Sequence, residues 1–225
     1  MRATSGAKNH ETLLLSLSPC SSMTFFDYLQ IATVVIFLLV VASRAVYMIS
    51  SRGINPIAIG GGKKGLARVI ELVSFSGLVI WIVEVLLYAF HADFHIFPAP
   101  LNQVLIDSHT VKIIGAVLVL AGLLFFIGAF VSFGDSWRVG FDVKTPGELV
   151  TGGIFALSRN PIYLFLDLMF IGVFLMNGRL IFLIFALLTL IAIHWQILQE
   201  EAFLSNLYDE PYHQYRSRTG RYLIW

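Results

Sequence analysis

Five apolar stretches between residues 25 and 197, each nearly free of charge, are the feature that most restricts what this 225-residue chain can fold into. A bilayer core is crossed by a helix of about 20 apolar residues. Within that core every backbone N–H and C=O needs an internal partner, which helices supply. The stretches read as spans over Phe25–Ala42, Val69–Phe90, Val111–Phe133, Ile162–Met176 and Leu180–Ile197. Only Asn177-Gly178-Arg179 separates the last two, so they are expected to form an antiparallel helical hairpin. Both are slightly short, a mismatch met by local thinning of the bilayer or by little tilt. With 57% hydrophobic and 13% charged residues, the chain lacks the surface a soluble domain needs. The expected fold is an all-α membrane protein of about five transmembrane helices.

Charge adds an orientation. Arg44, Arg52, Lys63, Lys64 and Arg68 cluster after the first span, whereas the connection after the second carries Asp93, Asp107 and several histidines. Arg138, Lys144 and Arg159 lie between spans three and four, and Arg216, Arg218 and Arg221 in the tail. The bias of basic residues toward the cytoplasm then puts the N-terminus outside and the C-terminus inside. It also puts the 134–160 segment and the tail on one side. The net charge of +1 argues against nucleic acid as a partner, and the single Cys20 leaves no disulfide framework or cysteine-rich metal site. Three parts are expected: a disordered extension over residues 1–24, three spans over 25–133, and a region over 134–225 that gathers the polar residues.

Once the apolar scaffold is set aside, a few residues carry chemistry. The long connection between spans three and four holds Trp137, Arg138, Asp142, Glu148 and paired glycines, and ends in Ser158-Arg159-Asn160-Pro161-Ile162-Tyr163. Loops of this length are functional or disordered, and Pro161 suits the first turn of a helix. Gln196, Gln199, Glu200 and Glu201 mark the end of span five, with Gln196 and Glu200 on one face. His194 and Glu201 align two turns apart. The carboxylates either mark where the helix leaves lipid or face the loop. The tail, with Tyr208, Tyr212, Tyr215, Arg221, Tyr222 and Trp225, reads as an interfacial aromatic and basic anchor. Glu71, Glu84 and Asp167 are acids within or near spans, where an ionisable group is a functional candidate. Asp167 shares a face with Tyr163, and Glu84 is expected to pair with another helix.

The run Gly147-Glu148-Leu149-Val150-Thr151-Gly152-Gly153-Ile154-Phe155, followed by Arg159-Asn160-Pro161-Ile162-Tyr163, resembles the cofactor segment of isoprenylcysteine carboxyl methyltransferases and phospholipid N-methyltransferases. The Glu200-Glu201 pair and the Tyr212-His213-Gln214-Tyr215 tail follow in the family's order, and Ser136 to Gly140 resembles the bacterial branch. The resemblance implies a membrane-embedded methyltransferase using S-adenosylmethionine on the cytoplasmic side of a bacterial cell membrane. By position it implies that Glu148, Leu149, Val150, Phe155, Asn160, Pro161, Tyr163 and Glu200 line the cofactor pocket. Arg159, Glu200 and Glu201 would take catalytic roles, with Gln196 and His194 toward the substrate. No metal is implied. The acceptor would be a lipophilic small molecule or a lipid-linked group within the membrane lipids. Asn160 stands where the eukaryotic motif has histidine, and Gln196 where it has a substrate-contacting arginine, which weighs against a prenylcysteine carboxylate. An NADPH-dependent reductase of the sterol reductase type and a non-catalytic membrane scaffold are the alternatives.

Overall fold

The computed structural model describes residues 22–52, 66–133 and 149–223, and among these the secondary structure is helical. Six α-helices follow in order: α1 (Phe25–Arg52), α2 (Leu66–Ala89), α3 (His109–Phe133), α4 (Pro161–Asn177), α5 (Leu180–Tyr208) and α6 (Glu210–Arg218). Two short 3-10 turns, Ala99–Asn102 and Gly153–Ala156, precede α3 and α4. Helices α1, α2, α3 and α5 are long and apolar enough to cross a membrane, whereas α4 is apolar but has 17 residues. At 1.5 Å per residue α4 is about 26 Å long, just short of a hydrocarbon core of about 30 Å. It is also the inner helix. Nine of its residues are buried, among them Phe165, Asp167, Met169 and Gly172. A helix wrapped by its neighbours meets little lipid, so its shortness is tolerated.

Local chemistry sets the helix ends. Residues 1–21 lie outside the described residues, but Thr24 caps α1: its backbone N–H and hydroxyl both meet Asp27 Oδ2 at 2.7 Å. This is a reciprocal capping box, with the Asp27 N–H returning to Thr24 Oγ1 at 3.4 Å. Asp27 also reaches His91 Nε2 at 3.3 Å, joining the start of α1 to the end of α2. The two-residue turn between α4 and α5 is held from outside. The backbone N–H groups of Leu105 and Ile106 donate to the Gly178 carbonyl, and the Leu180 N–H donates to that of Gln103. The expected helical hairpin is therefore present, with the 103–106 segment laid across its tip.

Packing centres on α3 and α4, which make the most extensive contact between helices. Lipid is as apolar as leucine, so helices associate in it by close approach of small residues. Gly115 and Gly172 supply that approach: a Cβ on either would stand 2.6 Å from the other's carbonyl oxygen. Aromatic stacks fill the space on each side. Phe126 of α3 lies over Phe165 of α4 with centroids 4.4 Å apart, and Trp81 of α2 lies over Phe170 at 4.1 Å. One polar bond ties α1 in, where Asn177 Nδ2 donates to the buried Gln30 Oε1 at 2.6 Å.

The expectation that Glu84 pairs with another helix is not met. Glu84 is fully buried, accepts the Ile96 backbone N–H at 3.0 Å and faces His95 Nδ1 at 3.5 Å. Its partners come from the connection after α2 because that loop folds back beside the hairpin tip, where Arg179 sits over the Tyr88 ring. The side chain of Glu71 lies outside the described residues.

A leucine at Gly172 cannot fit without parting α3 and α4, and overpacking of this kind costs about 1–3 kcal/mol. Gly172→Leu is expected to lower the thermal unfolding midpoint in detergent. Gly77→Leu, where a Cβ meets nothing within 4 Å, should leave it unchanged. Equal midpoints for the two variants would refute the glycine contact.

Candidate functional site

The polar site forms where the segment before α4, the end of α5 and the tail after α6 converge. Its base is the 3-10 turn. Gly153 has φ +62, a left-handed conformation that suits glycine, and a side chain there would run into Ser132 of α3. The Ile154 N–H donates to Ser132 Oγ at 3.2 Å, and Ile154 packs on Gly128, so the turn docks on the end of α3. Phe155 is buried beside Ala129, Tyr212 and Tyr215, with Leu149 and Val150 against the same cluster. The Tyr215 hydroxyl donates to the Phe155 carbonyl at 2.7 Å. Burial pushes the Tyr215 phenol above its ordinary value, so it remains a donor at any neutral pH.

Glu201 is the hub. Its side chain is 7% exposed, and Arg159 Nη2 and Arg221 Nη2 each reach it at 2.8 Å, one on each carboxylate oxygen. Arg159 adds an Nε contact at 3.3 Å, and Arg221 Nε spans both oxygens at 3.2 and 3.1 Å. The paired carboxylate holds the Arg221 guanidinium above its already high ordinary value. The remaining donors of Arg159 turn to the tail. Its Nη1 donates to the carbonyls of Arg216 and Thr219, and its backbone N–H donates to that of Gly220. Asn160 shares Glu201 and adds a further tail carbonyl: Nδ2 lies 3.4 Å from Glu201 Oε1 and 3.1 Å from the Arg221 carbonyl. Asparagine is a favoured N-cap, yet this one makes no side-chain cap to α4, because its amide is committed to the tail. Pro161, without an N–H to leave unpaired, opens the helix.

One turn along, Tyr163 hydrogen-bonds to Glu200, and Gln196 is a second partner of the same hydroxyl. Glu200 is partly buried and, unlike Glu201, has no arginine among its described partners. His194 lies on the other side of α5, with Nδ1 3.1 Å from the Tyr222 hydroxyl. Burial first, and then the negative charge of Asp167, raises the Tyr222 phenol.

The residues expected from sequence therefore fall into groups. Arg159, Asn160 and Glu201 form one network, and Tyr163, Gln196 and Glu200 a second beside it. Leu149, Val150 and Phe155 support the turn beneath. His194 is apart, and Glu148 and residues 134–147 lie outside the described residues. Glu201, expected in a catalytic role, has both its oxygens occupied by guanidinium groups. One expectation needs correction. The tail was read as an interfacial anchor, but Tyr212 and Tyr215 are 1% and 3% exposed and close over the site. Arg221 is the residue that sequence reasoning missed as a partner. Twenty positions separate it from Glu201, and no periodicity links a helix end to an irregular tail. No cluster of three or more metal-ligating side chains occurs among the described residues.

Fold and site together define an all-helical integral membrane protein with a charged, protein-enclosed cluster at one end of its bundle. Residues 110–211 match the family described as phospholipid methyltransferase. That is the family of integral membrane methyltransferases that includes isoprenylcysteine methyltransferases, so the kinship read from residues 147–163 and the acidic pair is borne out. The match runs from the first turn of α3 to the start of α6; it takes in Tyr163, Gln196 and Glu200 as well as Arg159, Asn160 and Glu201, and stops short of Arg221. No curated protein matches the chain.

Breaking a buried ion pair by removing one partner costs about 3–5 kcal/mol. Glu201→Ala leaves two guanidinium groups facing each other, so the tail should detach. Limited proteolysis is expected to cut residues 209–223 much faster in this variant than in the wild type or in Asp107→Asn, whose pair with Lys112 is exposed. Equal cutting in all three would remove Glu201 as the tail's anchor.

Proposed function

We propose that this protein is an S-adenosylmethionine-dependent methyltransferase acting on a lipophilic or lipid-linked acceptor, with its active site on the cytoplasmic face of a bacterial inner membrane. The proposal joins the family match over residues 110–211 to one observation, the hydrogen-bonded set of Tyr163, Gln196 and Glu200 beside the Arg159–Glu201–Arg221 network. That set suits the cofactor. A carboxylate and an aromatic face fit a cationic, hydroxyl-bearing ligand, and Glu200 has no arginine among its described partners, whereas Glu201 has two. When bound, S-adenosylmethionine supplies a methyl group on a positively charged sulfur.

In this reading the chain's residues divide their work. Glu200 and Tyr163 hold the cofactor. Leu149 and Val150 close it from the segment before the 3-10 turn, and Glu148 is assigned to the cofactor from its place in the motif alone. Phe155 supports that wall through its cluster with Tyr212 and Tyr215 and does not offer a face to the ligand. Asn160 and Pro161 set the direction in which α4 leaves the site. Arg159 and Glu201 are positioning residues, since their polar atoms are spent on the tail and on each other. The tail excludes water from a reaction in which water would compete as acceptor. Orientation is taken from the basic residues on both sides of the site, Arg159, Arg216, Arg218 and Arg221.

Labelled S-adenosylmethionine should bind the full-length protein in lipid nanodiscs. Glu200→Gln should weaken that binding about tenfold, as expected for one lost bond to a charged group. Tyr163→Phe should do so less, because it removes a partner of Glu200 and keeps the ring. Wild-type protein without affinity for the cofactor would end the methyltransferase proposal.

A further inference from the structure

A lipid-facing groove of about 680 Å³ runs between α4, α5 and the tail, and it has one polar end. Ile191, Trp195 and Leu198 form its apolar wall, at i, i+4 and i+7 on α5. They are 69%, 44% and 39% exposed, an open stripe long enough for an alkyl chain. The polar end is made by Asp167, His194 and Tyr222. His194 and Tyr222 satisfy each other. Asp167 is only 5% exposed, and its Oδ1 has no hydrogen-bond partner among the described residues.

An unpaired buried carboxyl costs several kcal/mol and is retained in a membrane helix where it has a ligand or a pathway to serve. Asp167 is one turn beyond Tyr163, so a group seated on it stands about 6 Å along the helix from the Tyr163–Glu200 pair. Tyr222 follows Arg221 directly, which makes the groove continuous with the arginine network. No lysine or arginine lines the groove among the described residues. A carboxylate or phosphate head would therefore meet Asp167 with no counter-charge, whereas an N–H or O–H head would complete its missing bond.

We propose that this groove is the acceptor subsite, and that Asp167 selects an amphiphile whose head donates a hydrogen bond, an amine or an alcohol, over one whose head is a carboxylate. The assignment of the occupant as acceptor rests on the methyltransferase reading. The selection by Asp167 does not.

The test uses Trp195 as a reporter in the full-length protein in nanodiscs. Chain-brominated amphiphiles with an amine, an alcohol or a carboxylate head are titrated to equal mole fraction in the bilayer. Quenching of Trp195 is the difference between wild type and Trp195→Phe. At least one donor head is expected to quench saturably, with apparent affinity about tenfold above that of the carboxylate, as for one charged hydrogen bond. Asp167→Asn, close to isosteric, should abolish the difference between heads while leaving S-adenosylmethionine binding intact. Equal quenching by all three heads, or a preference that persists in Asp167→Asn, overturns the proposal. If the preference is found but the cofactor does not bind, the groove stands as a lipid site and the methyltransferase reading falls. If the cofactor binds without any preference between heads, this proposal falls and the methyltransferase reading stands.

Discussion

Glu201 and its two arginines hold the functional end of this protein together. Two guanidinium groups from distant parts of the chain meet one carboxylate at the end of α5, and each arginine then secures the backbone around it. Arg159 reaches three carbonyls of the tail, and the carbonyl of Arg221 receives Asn160 and Ser158. Near the membrane boundary such a cluster cannot be half made. A lone carboxylate or guanidinium without its partner would remain desolvated and unpaired. The segment before α4, the end of α5 and the tail therefore dock as one unit.

That unit leaves neighbouring acids with different freedom. Glu201 and Glu200 are adjacent in sequence, yet successive residues on a helix point about 100° apart. One turns into the arginines and the other toward Tyr163 and Gln196. The first is spent on architecture and the second is available to a ligand. Asp167, on the facing helix, is the third acid of the region and has no lysine or arginine in its groove among the described residues. In the proposed reading a methyltransferase needs a place for a cationic cofactor and a separate one for its acceptor, and Asp167 stands about one helical turn from Tyr163, the partner of Glu200.

Much of this was legible in the residues. Long apolar stretches leave helices as the economical way to satisfy a backbone in lipid, and the Asn177-Gly178-Arg179 break can only be a hairpin tip. The family motif brought Asn160, Pro161, Tyr163 and Glu200 forward because their spacing is kept along the chain. Other features had no local signal. The glycine contact between Gly115 and Gly172 depends on two helices crossing at those residues, and each glycine alone reads as an ordinary membrane residue. The tail looked like an interfacial anchor because aromatic and basic residues suit headgroups, and its burial follows only from the turn that receives it.

By itself the sequence determined that the chain is a helical membrane protein, that α4 and α5 turn back on each other, and that one family's motif lies beside an acidic pair. Those features are local, written in hydropathy, turn length and spacing. Tertiary structure alone decided which glutamate is neutralised and which is open, that Arg221 closes the network, and that Asp167 faces a groove. Side-chain pairing across twenty or more residues depends on where helices cross and end, and hydropathy and spacing carry no record of that geometry.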